Sequence, residues 1–332
     1  MTNDRILKIG IAGCGQMGRK HALNCSRMDG VSVVAVADSD EERAMALAGE
    51  TKAIPYQSSE AMIGGSILDA LIVATPPGVR REAVERAATE GIPVFVEKPI
   101  ALDMASARSC CAAVEKASVV NAVGFHLRYS PLTQRARGLL AVRRITHVRT
   151  LTTTSYYLKM DMPLWFLQRR HSGGPLNEQT LHMIDTARYL VGEITDVTGR
   201  GGRLVRPDLK EFDSEDTLVL AYRFDNGALG VNTDSCAHRE FNWEIELLGP
   251  NLRLLVDYAR RRLRGYMGEE TIQIDVPDID IHMLEMQAFL DAVRQRRQEL
   301  VLSSFEDATR TLGVVLAGDR ALKTEGWESA GE

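Results

Sequence analysis

Six residues, Gly13-Cys14-Gly15-Gln16-Met17-Gly18, spell G-x-G-x-x-G between an apolar run at 8–13 and a stretch with helical spacing at 16–28. Three glycines in a turn are common, but three glycines that leave a buried strand and open a helix predict a dinucleotide-binding βαβ unit. Gly13 permits the tight turn, Gly15 lets a pyrophosphate approach the backbone, and Gly18 lets helix and strand pack closely. Gln16 and Met17 open the helix, where free N–H groups and the helix dipole favour an anion.

The surrounding pattern extends this unit into a sheet. Apolar runs at 31–37, 70–74, 94–97 and 119–124 alternate with helix-like stretches at 41–50, 79–89 and 104–116. Runs without polar alternation suit parallel strands covered on both faces, so the expected fold is α/β, a doubly wound parallel sheet. Asp38 ends the second run, 20 residues past Gly18, where an acid can bind the adenosine ribose hydroxyls. Asp38 can also be read as a helix N-cap, a role open to Asp40 as well. A ribose 2′-phosphate beside Asp38 would be repelled, which favours NAD over NADP. Ser39 and Arg43 keep NADP open.

Beyond about residue 125 the texture changes. A helix at 132–140 is followed by alternating or β-branched runs at 145–157, 197–205, 217–224, 228–234, 243–248 and 252–258. Asp225-Asn226-Gly227 is a hairpin turn signal. One helix at 175–190 follows Ser172-Gly173-Gly174, and two more, at 281–296 and 305–323, complete the pattern. The second half therefore reads as α+β with an antiparallel sheet. A division into a dinucleotide-binding domain at 1–125 and a substrate-binding domain at 126–332 agrees with the 332-residue length, at roughly 150 residues per domain.

Composition narrows the partners. Forty Lys and Arg against 45 Asp and Glu give a net charge of −5, without the basic field that nucleic acid selects. No run of 18 apolar residues occurs and no leader precedes the first strand, which makes a cytoplasmic protein off the membrane the expectation. The 5 cysteines lack a Cys-x-x-Cys pair and read as reduced thiols.

Two constellations carry chemistry. Glu97-Lys98-Pro99 ends the fifth run, and ligands of open α/β sheets bind beyond the carboxyl ends of strands. Lys98 there can hydrogen-bond a substrate hydroxyl as its proton leaves, although a surface Glu–Lys pair before a helix-starting proline is the competing reading. Glu178, His182 and Asp185 are spaced by four and three, which predicts one helical face with a histidine suited to proton transfer. A solvated polar stripe or a metal site would show the same spacing. No second ligand cluster accompanies it, so no metal is expected.

Together these pieces resemble the glucose–fructose oxidoreductase and inositol dehydrogenase (GFO/IDH/MocA) family over essentially the whole chain. The matching segments are Gly13-Cys14-Gly15-Gln16-Met17-Gly18-Arg19-Lys20-His21-Ala22, Ala74-Thr75-Pro76-Pro77, Glu97-Lys98-Pro99, and Ser172-Gly173-Gly174 leading to His182. The resemblance implies a Rossmann domain, a second domain with a large open sheet, and homodimers or homotetramers built on that sheet. It implies hydride transfer between nicotinamide and a hydroxyl or carbonyl of a sugar, inositol or related polyol, with Lys98 and His182 flanking the reacting carbon. Thr75, Pro76, Glu97 and Lys98 would join the glycine loop and Asp38 around the cofactor. Glu178 stands where the family usually has Asp. His126 and Arg128 read as substrate contacts or as packing at the domain junction. Tyr156, Tyr157, Trp165, Arg169 and His171 are candidates to line the pocket. Arg169-Arg170 suggests either an anionic substrate or a solvated loop. An NAD-dependent glycosidase and a non-enzymatic NAD-binding regulator are alternative functions, the second disfavoured by the presence of both Lys98 and His182.

Overall fold

A computed structural model describes residues 5–159, 162–205, 207, 209–210 and 212–331. The chain forms two compact units, Met1–His126 with Asp280–Thr309, and Leu127–Ile279 with Arg310–Glu332.

In the first unit, strands and helices alternate: β1 (Leu7–Ala12), α1 (Gln16–Ser26), β2 (Val31–Ala37), α2 (Glu41–Thr51), β3 (Ile54–Tyr56), α3 (Ser59–Gly65), β4 (Ala70–Val73), α4 (Arg81–Thr89), β5 (Val94–Val96), α5 (Met104–Ala117) and β6 (Asn121–Val123). The strands run parallel in the order β3-β2-β1-β4-β5-β6. Strand order therefore reverses at β1 and β4, the switch point where doubly wound sheets bind ligands. Every residue of β4 and β5 is buried, the pattern of a strand with helices on both faces. Neither β3 nor α3 is visible in the apolar pattern. A three-residue strand containing Pro55 lacks both periodicity and a ladder donor, and its place at the sheet edge tolerates that loss.

The second unit contains α6 (Pro131–Leu140), β7 (His147–Thr153), the short helices α7 (Tyr156–Lys159), α8 (Leu164–Leu167) and α9 (Arg169–Ser172), then a π-helical turn (Leu176–Thr180) that runs into α10 (Leu181–Val191). There follow β8 (Ile194–Gly202), β9 (Thr217–Phe224), β10 (Leu229–Ser235), β11 (Asn242–Gly249), β12 (Leu252–Asp257), β13 (Arg262–Met267), β14 (Glu270–Asp275), α11 (Ile281–Gln295), α12 (Phe305–Thr324) and β15 (Glu328–Ser329). The sheet order is β14-β13-β12-β11-β7-β10-β9-β8-β15. It is mixed, not purely antiparallel: β7 and β10 pair in parallel while the other neighbours are antiparallel. The turn at Asp225-Asn226-Gly227 does join the β9–β10 hairpin, with Gly227 at φ +84°. Helix α10 packs on β7 and β11, and α6 on β12. Strands β13, with two arginines and a glycine, and β14 extend the sheet edge beyond the last predicted strand.

Helix α11 belongs to the first unit although it follows the second in sequence. Its Met286, Phe289 and Leu290 share a core with Ile9, Ile11 and Phe95. A division of the chain at 125/126 leaves these residues on the other side. Among the described residues, no helix is long and apolar enough to cross a membrane.

Candidate active site

The glycine loop is built as its spacing predicts. At Gly13, φ is +93°, and a Cβ there would lie 2.7 Å from Ala74 C and Thr75 N, so the end of β1 presses on the segment after β4. A Cβ on Gly18 would come within 1.7 Å of the Gly13 carbonyl oxygen. Only glycine permits that approach of α1 to β1. Nothing lies within 4 Å of a Cβ built on Gly15, and Gly15 gives α1 no side-chain cap. The open space above Gly15 and the uncapped helix start fit a pyrophosphate. The Thr75 hydroxyl oxygen is buried without a hydrogen-bond partner, a state that costs about 1–3 kcal/mol unless a ligand relieves it.

Asp38 accepts from the Cys14 amide at 2.7 Å and from the Asp40 amide at 2.9 Å, which fixes its carboxylate beside the loop. The N-cap of α2 is Asp40, which accepts from Arg43 N and also pairs with the Arg43 side chain. Asp38 is therefore not the cap. NADH should bind at least about tenfold tighter than NADPH, since about 1.4 kcal/mol of repulsion suffices. In Asp38→Ala the ratio of the two dissociation constants should shrink toward one. Fluorescence titration measures both constants, and a wild type that prefers NADPH would overturn the assignment.

Glu97 is buried, with Oε1 2.6 Å from Nε2 of His21 on α1 and Oε2 accepting from the Lys98 amide. Burial raises its pKa, yet the His21 hydrogen bond and the charges of His21, Lys98 and His282 hold it at about 2. The reading of Glu97-Lys98 as a surface pair before a helix-starting proline fails on both counts, since α5 begins only at Met104. The Lys98–Pro99 peptide bond is cis, and Lys98 is half-buried. His126 stacks on His282, with centroids 4.2 Å apart and planes at 17°. Burial and then the charge of Lys20 push the His282 pKa down to about 4.

In the second unit, Glu178, His182 and Asp185 are 6%, 3% and 1% exposed, which excludes the solvated stripe. The π turn over Leu176–Thr180 widens the backbone where Glu178 sits, so the α-helical spacing holds for His182 and Asp185 but not for Glu178. Asp185 accepts two bonds from the Arg128 guanidinium, at 2.8 and 2.6 Å, and one from the Thr311 hydroxyl at 2.9 Å. Arg128 is thus engaged in a buried ion pair, the packing alternative to a substrate contact. The His182 ring lies against Trp243, centroids 4.9 Å apart, and Trp243 against the half-exposed Phe241. Beneath the π turn, Thr180 donates its hydroxyl to the buried Asp234 of β10. Among the described residues, no group of three or more His, Cys, Asp or Glu is placed to hold a metal ion.

Residues 7–125 match the oxidoreductase family with an NAD-binding Rossmann fold, and residues 133–254 match the GFO/IDH/MocA C-terminal domain. The chain belongs to the GFO/IDH/MocA oxidoreductase family. It is 30% identical to Myo-inositol 2-dehydrogenase of Thermotoga maritima over 76% of each chain. It is 27% identical to scyllo-inositol 2-dehydrogenase (NAD(+)) of Bacillus subtilis, over 96% of this chain and 94% of that protein. Levoglucosan dehydrogenase in complex with NADH shares the fold, with a TM-score of 0.88 over 98% of this chain and 99% of that one, at 22% identity.

In this GFO/IDH/MocA member Arg169 pairs with Glu215 and with Asp319 at 2.6 Å, while Arg170 and His171 are exposed. Tyr156 and Trp165 both edge onto Phe166, at 5.5 and 5.8 Å, within a cluster that includes Tyr157 and Phe212. Burial, with the charges of Cys236, Asp234 and Glu178, raises the Tyr157 phenol. His21, Asp234 and Trp243 were missed in the sequence. His21 does carry a signal, three residues past Gly18 on the helix face toward the sheet, whereas the other two are unremarked strand residues.

Burial pushes the Asp234 carboxyl up to about 7, against the hydrogen bonds from Thr180 and Cys236 that lower it. An acid with a raised folded pKa contributes stability that is fully present below its unfolded pKa of about 3.9 and is lost as pH rises through the folded value. Relative to Asp234→Asn, the wild-type Tm should therefore fall by about 3 °C or more between about pH 5 and about pH 8. Calorimetry at the two pH values checks this. Parallel pH dependences of the two proteins would mean that Asp234 does not titrate in that window.

Proposed function

We propose that the chain oxidises the hydroxyl, or reduces the carbonyl, of an uncharged sugar, inositol or related polyol with NAD. The observation that carries this reading is Lys98, held at the carboxyl end of β5 in the same unit as the glycine loop, Asp38 and Thr75. The inositol dehydrogenases among the relatives support the substrate class, and the engagement of Arg169 by acids supports an uncharged substrate over a phosphorylated one.

In this reading, the Gly15, Gln16 and Met17 amides hold the pyrophosphate, Asp38 the adenosine ribose, and Thr75 and Pro76 the nicotinamide end. The cofactor supplies the hydride acceptor or donor. Lys98 donates a hydrogen bond to the reacting oxygen and stabilises its negative charge as the proton leaves. His182 takes that proton in oxidation and returns it in reduction, with Glu178 in the turn before it supporting the ring. Tyr156 and Trp165 line the pocket. Homodimers or homotetramers would cover the exposed face of the nine-stranded sheet, where Val219 and Tyr266 are each 44% exposed.

The test is a panel of inositols and neutral sugars incubated with NAD, followed by NADH absorbance and product analysis. Stoichiometric NADH and ketone from one or more members supports the proposal. Glycoside cleavage without net NADH, or NAD binding without any turnover, overturns it.

A further inference from the structure

The turn that carries Lys98 lies past the end of the parallel ladder, so strand pairing alone does not fix it. The last ladder bonds near it run from Glu97 N to Val73 O and from Gly124 N to Val96 O. The carbonyls of Glu97 and Pro99, immediately before and after Lys98, both accept from Nη1 of Arg80. Nε of the same guanidinium donates to Thr75 O at 2.8 Å. Arg80 is 4% exposed, just ahead of α4, and reaches back to the ends of β4 and β5 at once. The amide of Lys98 itself is held by Glu97 Oε2, whose other oxygen is anchored on His21.

We propose that Arg80 is a positioning residue for catalysis, gripping the backbone on both sides of Lys98 and locking that turn to the Thr75 segment, with the His21–Glu97 pair as the second hold. This rests on the proposed role of Lys98 at the reacting oxygen. The chemistry suits arginine and not lysine. A planar guanidinium presents several N–H donors in a fixed plane and stays charged when buried, so one side chain serves three carbonyls. An ammonium is a point donor on a flexible stem and cannot hold the same three acceptors in one plane. Displacement of a reacting group by about 1 Å costs on the order of 100-fold in rate.

The experiment compares wild type, Arg80→Met, Arg80→Lys and Lys98→Ala by kcat and KM for the best polyol substrate and by NADH dissociation constant. It also follows the trinitrobenzenesulfonate labelling rate of Lys98 by peptide mass spectrometry. Arg80→Met should lose about 30- to 100-fold in kcat, with a much smaller change in KM and in NADH affinity. Its Lys98 labelling rate should change at least about threefold, and Arg80→Lys should fall between it and wild type in both readouts. If Arg80→Met does not fold, Arg80→Lys decides by the same two readouts. Wild-type labelling and kcat in the folded Arg80 variants, or lowered stability with kcat per folded molecule intact, overturns the positioning role. Full turnover in Lys98→Ala would instead sink the catalytic reading of Lys98, while the labelling arm still reads the hold on its backbone.

Discussion

Lys98→Ala should lose about two orders of magnitude or more in kcat, the usual scale for a positioned proton-handling group, while NADH binds within a few-fold of wild type. The expected split follows from where the residue sits. Gly13, Gly15 and Gly18, proposed to cradle the pyrophosphate, and Asp38, proposed to hold the ribose, lie at the ends of β1 and β2 and the start of α1, whereas Lys98 follows β5. Removing the ammonium leaves the Lys98 amide on Glu97 and the Glu97 anchor on His21 in place. The turn survives and only the charge at its tip is lost. Steady-state kinetics beside fluorescence titration of NADH checks both halves. Near wild-type turnover would reduce Lys98 to a structural residue, and parallel losses in affinity and kcat would make it a cofactor ligand.

Features set by local backbone geometry were legible in the sequence. The glycine loop is the clearest case, because a positive φ at Gly13 and a Cβ clash at Gly18 are properties of a few consecutive residues. The buried parallel strands were readable for the same reason, as short apolar runs with helix-spaced stretches between them. The failures involve partners far apart in sequence. Nothing near Arg128 announces Asp185, 57 residues away, and so the sequence leaves substrate contact and packing both open for Arg128. The return of α11 to the first unit is equally hidden, since its amphipathic face is compatible with either core. The π turn is a third case. A shift of hydrogen bonding within Leu176–Thr180 leaves the residue pattern of an ordinary helix intact, yet it moves Glu178 off the face that its spacing implies.

That displaced residue carries the second large prediction. Glu178→Gln should lower kcat by about tenfold or more, because Glu178 is 6% exposed in the π turn that leads directly into the helix of His182 and is proposed to support that imidazole. NADH affinity should not change, because the turn lies in the second unit and the glycine cradle in the first. Glu178→Asp should recover only part of the loss, since a side chain shorter by one methylene cannot reach the same ring position from the widened turn. Measurement of kcat for wild type and both variants decides the matter, and an unchanged kcat in Glu178→Gln would make Glu178 a bystander. Asp185 could not then take its place as it could on sequence grounds, because both of its oxygens are already bound by Arg128 and one of them also by Thr311. His182 would have to act without a carboxylate from its own helix, its ring placed by Trp243 packing against it.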